Sequence, residues 1–167
     1  TLVRRGRFCS RNGPLRSRQR PAGLVDLDVV GQAKIDYGNL LLAVSLQIVR
    51  RCRQLVVPVS FENPQTSRLW WMPHMLRLLR CGHKIAVDLC AFGTSWRKRT
   101  TFAIWGTSAL DDLGSRSCCG NQVCEFSGKK HRMPEGRAPG GLSWSAVAEP
   151  YPRQLCDAYA FLASRAR

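Results

Sequence analysis

The chain has 167 residues, enough for one domain with a real core or for part of a larger one, and Thr1 in place of an initiating Met reads as a fragment. Lysine and arginine number 26 against 11 acidic residues, a formal charge of +15. This suits a polyanionic partner, DNA first and RNA as the alternative, and a merely solvated basic surface is an equal reading of composition alone. Eight scattered cysteines with no signal segment exclude a small secreted disulfide scaffold. No apolar run approaches the roughly 20 residues of a bilayer span, so the expectation is a chain without a membrane partner, intracellular, the nucleus included.

Residues 1–32 read as a basic, extended arm. Arg4, Arg5, Arg7, Arg11, Arg16, Arg18 and Arg20 occur there without one acid in residues 1–25, and Gly13-Pro14 and Pro21-Ala22-Gly23 interrupt regular structure. Residues 33–106 carry the α/β pattern. Leu41, Val44, Ile48 and Cys52 recur at helical steps within Ala33–Arg53, with firm helix expected from about Asn39 because Gly38 weakens the first turns. The apolar run Val56–Phe61 predicts a strand buried on both faces, of the parallel type, with Pro58 marking its start or an edge. A short helix follows over Pro73–Arg80, with Pro73 at its first position. Strands at Lys84–Cys90 and Thr100–Trp105 are close enough to form an antiparallel hairpin. Residues 107–147 form a Cys- and Gly-rich insert, and 148–167 a closing helix that should bury Leu155, Ala158, Tyr159 and Leu162.

Chemistry-bearing residues cluster at two strand ends. Phe61-Glu62-Asn63-Pro64 closes the first strand run, and strand ends are where open α/β sheets bind ligands. A carboxylate after the second run, with Arg97-Lys98-Arg99 on the next hairpin, could hold a base and its phosphate. Plainer readings stand beside both: an Asn-Pro turn that caps a following helix, and a charged solvent-facing turn.

Glu62-Asn63-Pro64 and the stretch Phe92-Gly93-Thr94-Ser95-Trp96-Arg97-Lys98-Arg99 resemble the Glu-Asn-Val strand end and the Arg-x-Arg hairpin of the cytosine-5 DNA methyltransferase family, in the divergent form mobile elements carry. Ser95 stands where the family has Gln, and Gly93 is one place late. The resemblance implies the C-terminal half of a Rossmann-like methyltransferase sheet with a terminal hairpin and an insert. Its implied donor is S-adenosylmethionine. Glu62 would be the acid that protonates ring nitrogen 3 of a flipped cytosine, Asn63 would hold the loop, Arg97 would meet the base or its phosphate, and Arg99 the hairpin or DNA backbone. No cysteine follows a proline and no glycine-rich donor turn precedes residue 33. The chain alone is therefore expected to be inactive, with the nucleophile lying before Thr1. Two other readings are a non-enzymatic basic nucleic-acid-binding module and a decayed mobile-element reading frame without function.

Arg16, Arg18, Arg20, Lys129, Lys130 and Arg132 are the expected phosphate contacts. Cys118-Cys119-(x4)-Cys124-(x6)-His131 could ligate zinc through Cys119, Cys124, His131 and a distant fourth group. Paired Cys-x2-Cys spacing is absent, so a loop with free thiols is the simpler expectation, and Cys52, Cys81, Cys90 and Cys156 are expected to be buried beside apolar runs.

Overall fold

The computed structural model describes residues 13–121 and 123–166, a mixture of helix and strand. The chain divides into two compact units. One runs to His83 and includes Ala103–Gly106; the other comprises Lys84–Phe102 and the chain from Thr107 onward. Strands β1 (Val59–Pro64), β2 (His83–Asp88) and β3 (Arg99–Trp105) form a small antiparallel sheet in the order β1-β3-β2. Central position explains why every β3 residue after Arg99 is buried, whereas β1 is half-buried along its length. The α/β class and the β2–β3 pairing agree with expectation.

β1 departs from expectation in direction and in register. It is antiparallel, and it begins at Val59, so that Glu62-Asn63-Pro64 lie inside the strand rather than beyond its end. The cause is the helix exit before it. The Val57 N–H reaches the Cys52 carbonyl at 2.8 Å and the Val56 N–H reaches Arg53 at 3.2 Å, a Schellman closure that consumes the residues expected to start the strand. Val56 takes φ 56° there, a left-handed conformation costing a β-branched residue about 1–2 kcal/mol.

In the first unit, helix α1 (Val29–Gln54) starts before Ala33 because the Asp28 carboxylate accepts the Gly31 N–H at 2.6 Å. Gly38 sits within the helix without ending it. Its inward residues are Ile35, Leu46 and Val49; Leu41, Val44 and Ile48 are about half exposed, at 50, 45 and 57 %. Apolar residues occur on more than one face of this helix, so periodicity alone does not select the packed one. The selection comes from what it meets. Leu46 and Val49 join Trp70, Met72, Met75, Leu78, Ala103 and Trp105 in one core. Helix α2 (Pro73–Leu79) contributes Met75 and Leu78 to it.

The expected arm falls partly outside the described residues, since 1–12 are not among them. Residues 13–25 are not a free extension. Leu15 is buried, its carbonyl accepts the Leu24 N–H at 3.0 Å, and Asn39 on α1 donates to Ala22 at 2.8 Å.

In the second unit, helix α3 (Trp144–Val147) is capped by the Ser143 hydroxyl, and α4 (Arg153–Ala163) buries Leu155 alone. Ala158, Tyr159 and Leu162 are only half-buried, although Tyr159 stacks on Phe102 at 5.8 Å between centroids. Among the described residues no helix is long and apolar enough to cross a membrane.

Candidate functional site

The end of β2 organises the chemistry of the second unit. Asp88 is fully buried, and a buried carboxylate requires partners. Its Oδ1 accepts the Arg97 Nε–H at 3.0 Å, its Oδ2 accepts the Cys118 N–H at 2.8 Å, and Arg99 Nε lies 3.8 Å away. Arg97 also donates to the Cys118 carbonyl at 2.8 Å. The expected carboxylate and Arg-x-Arg pair thus meet each other rather than an open ligand site. Gly120 at φ 77° completes the fit, for a Cβ there would overlap the Arg97 guanidinium.

That knot fixes two cysteines. Cys90 lies on the 3-10 turn Leu89–Phe92 that leaves β2 and closes through Gly93 at φ 90°. The segment carrying Cys118 runs alongside the strand, with the Asp88 N–H on the Arg116 carbonyl at 3.0 Å and the Ser117 hydroxyl on Ala86 at 3.3 Å. Cys124 enters from a tight hairpin. Its N–H donates to Lys129 at 2.8 Å, its carbonyl accepts from Gly128 at 2.9 Å, and Val123 bridges Lys130. His131 follows, held by the Arg132 N–H on the Ser95 carbonyl at 2.7 Å. The result is three buried thiols and one half-buried imidazole whose ligand atoms all lie within 4.8 Å of one another.

The protonation of these thiols is uneven. Burial, and then the neighbouring Cys124 and Cys118, push the Cys90 thiol up. Burial opposes ionisation at Cys124 too, but hydrogen bonds from the Ser127 side chain and N–H, the Phe126 N–H and Cys90 outweigh it and bring the thiol down to about 6. Cys119 is exposed. It faces Glu125, whose hydrogen bond raises the Cys119 pKa, while that same bond lowers Glu125.

The thiol–imidazole grouping weighed in the sequence beside a loop of free thiols has different members in the structure. Cys118 stands in place of Cys119, and Cys90 is the distant fourth group. Cys81 and Cys156 are exposed and Cys52 is half-buried, contrary to the expectation for buried thiols. Cys118 and Cys119 are equivalent as letters, and only burial distinguishes them. The Asp88 bond to the Cys118 N–H decides which one turns inward.

The basic residues divide into tied and open groups. Lys129, Lys130 and Arg132 are exposed, and the Arg132 guanidinium lies 4.3 Å from the centroid of the Trp144 ring. Arg18 and Arg68 approach the Trp71 ring at 5.3 and 4.4 Å, and Arg20 is exposed. Arg16 is turned inward, donating to the carbonyls of Pro21 at 2.5 Å and Ile35 at 3.4 Å; burial lowers its pKa.

Glu62 and Asn63 are half-buried on β1 in the first unit, whereas Arg97 and Arg99 belong to the second. Asn63 lines a cavity of about 300 Å³ with Arg16, Phe61, Ser67 and Arg68. No family model, curated protein or solved structure matches the chain.

Proposed function

We propose that this protein is a basic nucleic-acid-binding module that holds phosphates and bases through cation–aromatic surfaces. The observation that carries the reading is the Cys124–Arg132 hairpin. It leaves Lys129 and Lys130 exposed and sets Arg132 on the face of Trp144. Polynucleotide single strands are held by this combination of positive charge along the backbone and flat rings against the bases. The formal charge of +15 supports the same reading.

Binding should therefore weaken steeply with salt. Fluorescence polarisation with single strands of about 12 nucleotides, DNA and RNA in parallel, measures this between about 50 and 200 mM salt. Each phosphate contact on a single strand contributes about 0.7 to the slope of log affinity against log salt. Replacing Lys129, Lys130 and Arg132 by Ala should lower that slope by about 2. An unchanged slope would place the interface elsewhere, and salt-insensitive binding would remove the electrostatic reading.

A second reading keeps the chain as the C-terminal part of a cytosine-5 DNA methyltransferase-like protein. It is supported by the cavity that Asn63 lines, which reaches the lower end of small-ligand pocket sizes. In that reading Glu62 is the acid, and S-adenosylmethionine and the nucleophile are supplied by another segment. The chain by itself should then transfer no label from S-adenosylmethionine to a cytosine-containing duplex. Measurable transfer would contradict a division of labour of that kind.

A further inference from the structure

Between Gly114 and Val147, Cys118 and Cys124 are the only buried residues among those described; the others are half-buried or exposed. Two small side chains remove too little apolar surface from water to offset the entropy of ordering a stretch of that length. The stretch is nonetheless closed by a hairpin at Cys124, tied to Ser95 through Arg132 and stitched to β2 through Ser117 and Cys118. The buried cluster at its centre, Cys90, Cys118 and Cys124, contains no large apolar side chain. Small folds so poor in core are held by a disulfide or a metal.

We propose that Cys90, Cys118, Cys124 and His131 form a closed structural site for one zinc ion, which staples the second unit together. Zinc bonds of about 2.3 Å to sulfur and about 2.0 Å to nitrogen in a tetrahedron set ligand atoms roughly 3.5–3.8 Å apart. Cys118 Sγ and His131 Nε2 are separated by 3.7 Å, and all four ligand atoms lie within 4.8 Å of one another. Three thiols and an imidazole suit zinc, whereas magnesium and calcium require oxygen. Four protein ligands leave no position for water, so the site is structural rather than hydrolytic.

Loading takes three thiolates, with the thiol protons still present released to solvent, and together with one Zn²⁺ and a neutral His131 they form a centre with one net negative charge. The guanidinium of Arg97 is bonded to the backbone carbonyl of the ligand Cys118 and to Asp88. Asp88 in turn orients Cys118 through its N–H. Outer partners of this kind position metal ligands and hold their affinity. The proposal stands independently of nucleic-acid binding.

The test uses the full chain purified under reducing conditions. Elemental analysis should find about one zinc per chain. Cobalt titration of chelated protein should give tetrahedral ligand-field bands and thiolate-to-cobalt charge transfer, both abolished by added zinc. Cys118→Ser should lose the ion, and Cys119→Ser should keep it. His131→Cys retains four ligands and should raise the charge-transfer intensity by about a third, which separates a ligand set from a variant that merely misfolds. Chelation should speed amide exchange across residues 114–147 while leaving α1 protected. Absence of zinc together with no cobalt bands would overturn the site. So would bound iron, a disulfide among Cys90, Cys118 and Cys124, or equal metal loss in Cys119→Ser and Cys118→Ser.

Discussion

Asp88→Ala should destabilise the second unit by about 3 kcal/mol, and its thermal transition should fall by roughly 12–24 °C. The substitution leaves the buried Cys118 N–H without an acceptor, a loss of about 1–3 kcal/mol. It also strands the Arg97 guanidinium, which donates to Asp88 at 3.0 Å. The full cost of breaking a buried ion pair does not apply, because the Arg97 side chain is 31 % exposed and water can solvate part of its charge. Asp88→Asn separates the two contributions: an amide oxygen can still accept the Cys118 N–H, so about half of the stability should return. Circular dichroism melts of the three proteins make the comparison. Equal melting of Asp88→Ala and the parent chain would show that the knot around Cys118 is held by something else.

The second large effect belongs to the first unit. Trp105 is 1 % exposed, its indole N–H donates to the Leu78 carbonyl at 3.0 Å, and it packs in the core with Leu46, Val49, Met75 and Leu78. Trp105→Ala should cost about 3–5 kcal/mol through lost burial and the cavity left behind. Trp105→Phe retains most of the ring surface and should cost roughly 1–3 kcal/mol, through the smaller ring and the lost indole bond, although the Leu78 carbonyl keeps the Cys81 N–H at 3.3 Å. Gly82 belongs to the same arrangement. A Cβ added there would overlap the Trp105 indole and stand 2.6 Å from the Ile104 carbonyl oxygen. Gly82→Ala therefore tests the closeness of the packing from the other side, with an expected cost of about 1–3 kcal/mol. Chemical denaturation gives all three values, and a Trp105→Ala loss below about 1 kcal/mol would mean that the ring is not a core residue.

Local signals in the sequence determined the helices over 73–80 and 153–164 to within a residue or two, because Pro73 and Pro152 fix where a helix can begin and apolar spacing carries it onward. They also determined the pairing of the last two strands, since a short link leaves few ways to connect them. The register of β1 was not legible. A Val accepting a left-handed turn at the end of α1 runs against its own preference, and only the closure onto Cys52 and Arg53 stabilises it. The packed face of α1 was equally hidden. Leu41, Val44 and Ile48 satisfy helical spacing as well as Ile35, Leu46 and Val49 do, and the choice falls to whatever core the helix meets.

The thiol–imidazole cluster divides in the same way. Cysteine and histidine letters near residues 118–131 announced a candidate set by themselves. Tertiary structure decided its membership, by bringing Cys90 from the far end of β2 and by giving the Cys118 N–H, not that of Cys119, to a buried carboxylate. Arg97 shows the same limit from the opposite direction. As a letter it reads as a ligand-binding cation, but a carboxylate with no access to water must find counter-charge within the chain, and the fold places Arg97 at 3.0 Å and Arg99 at 3.8 Å from it.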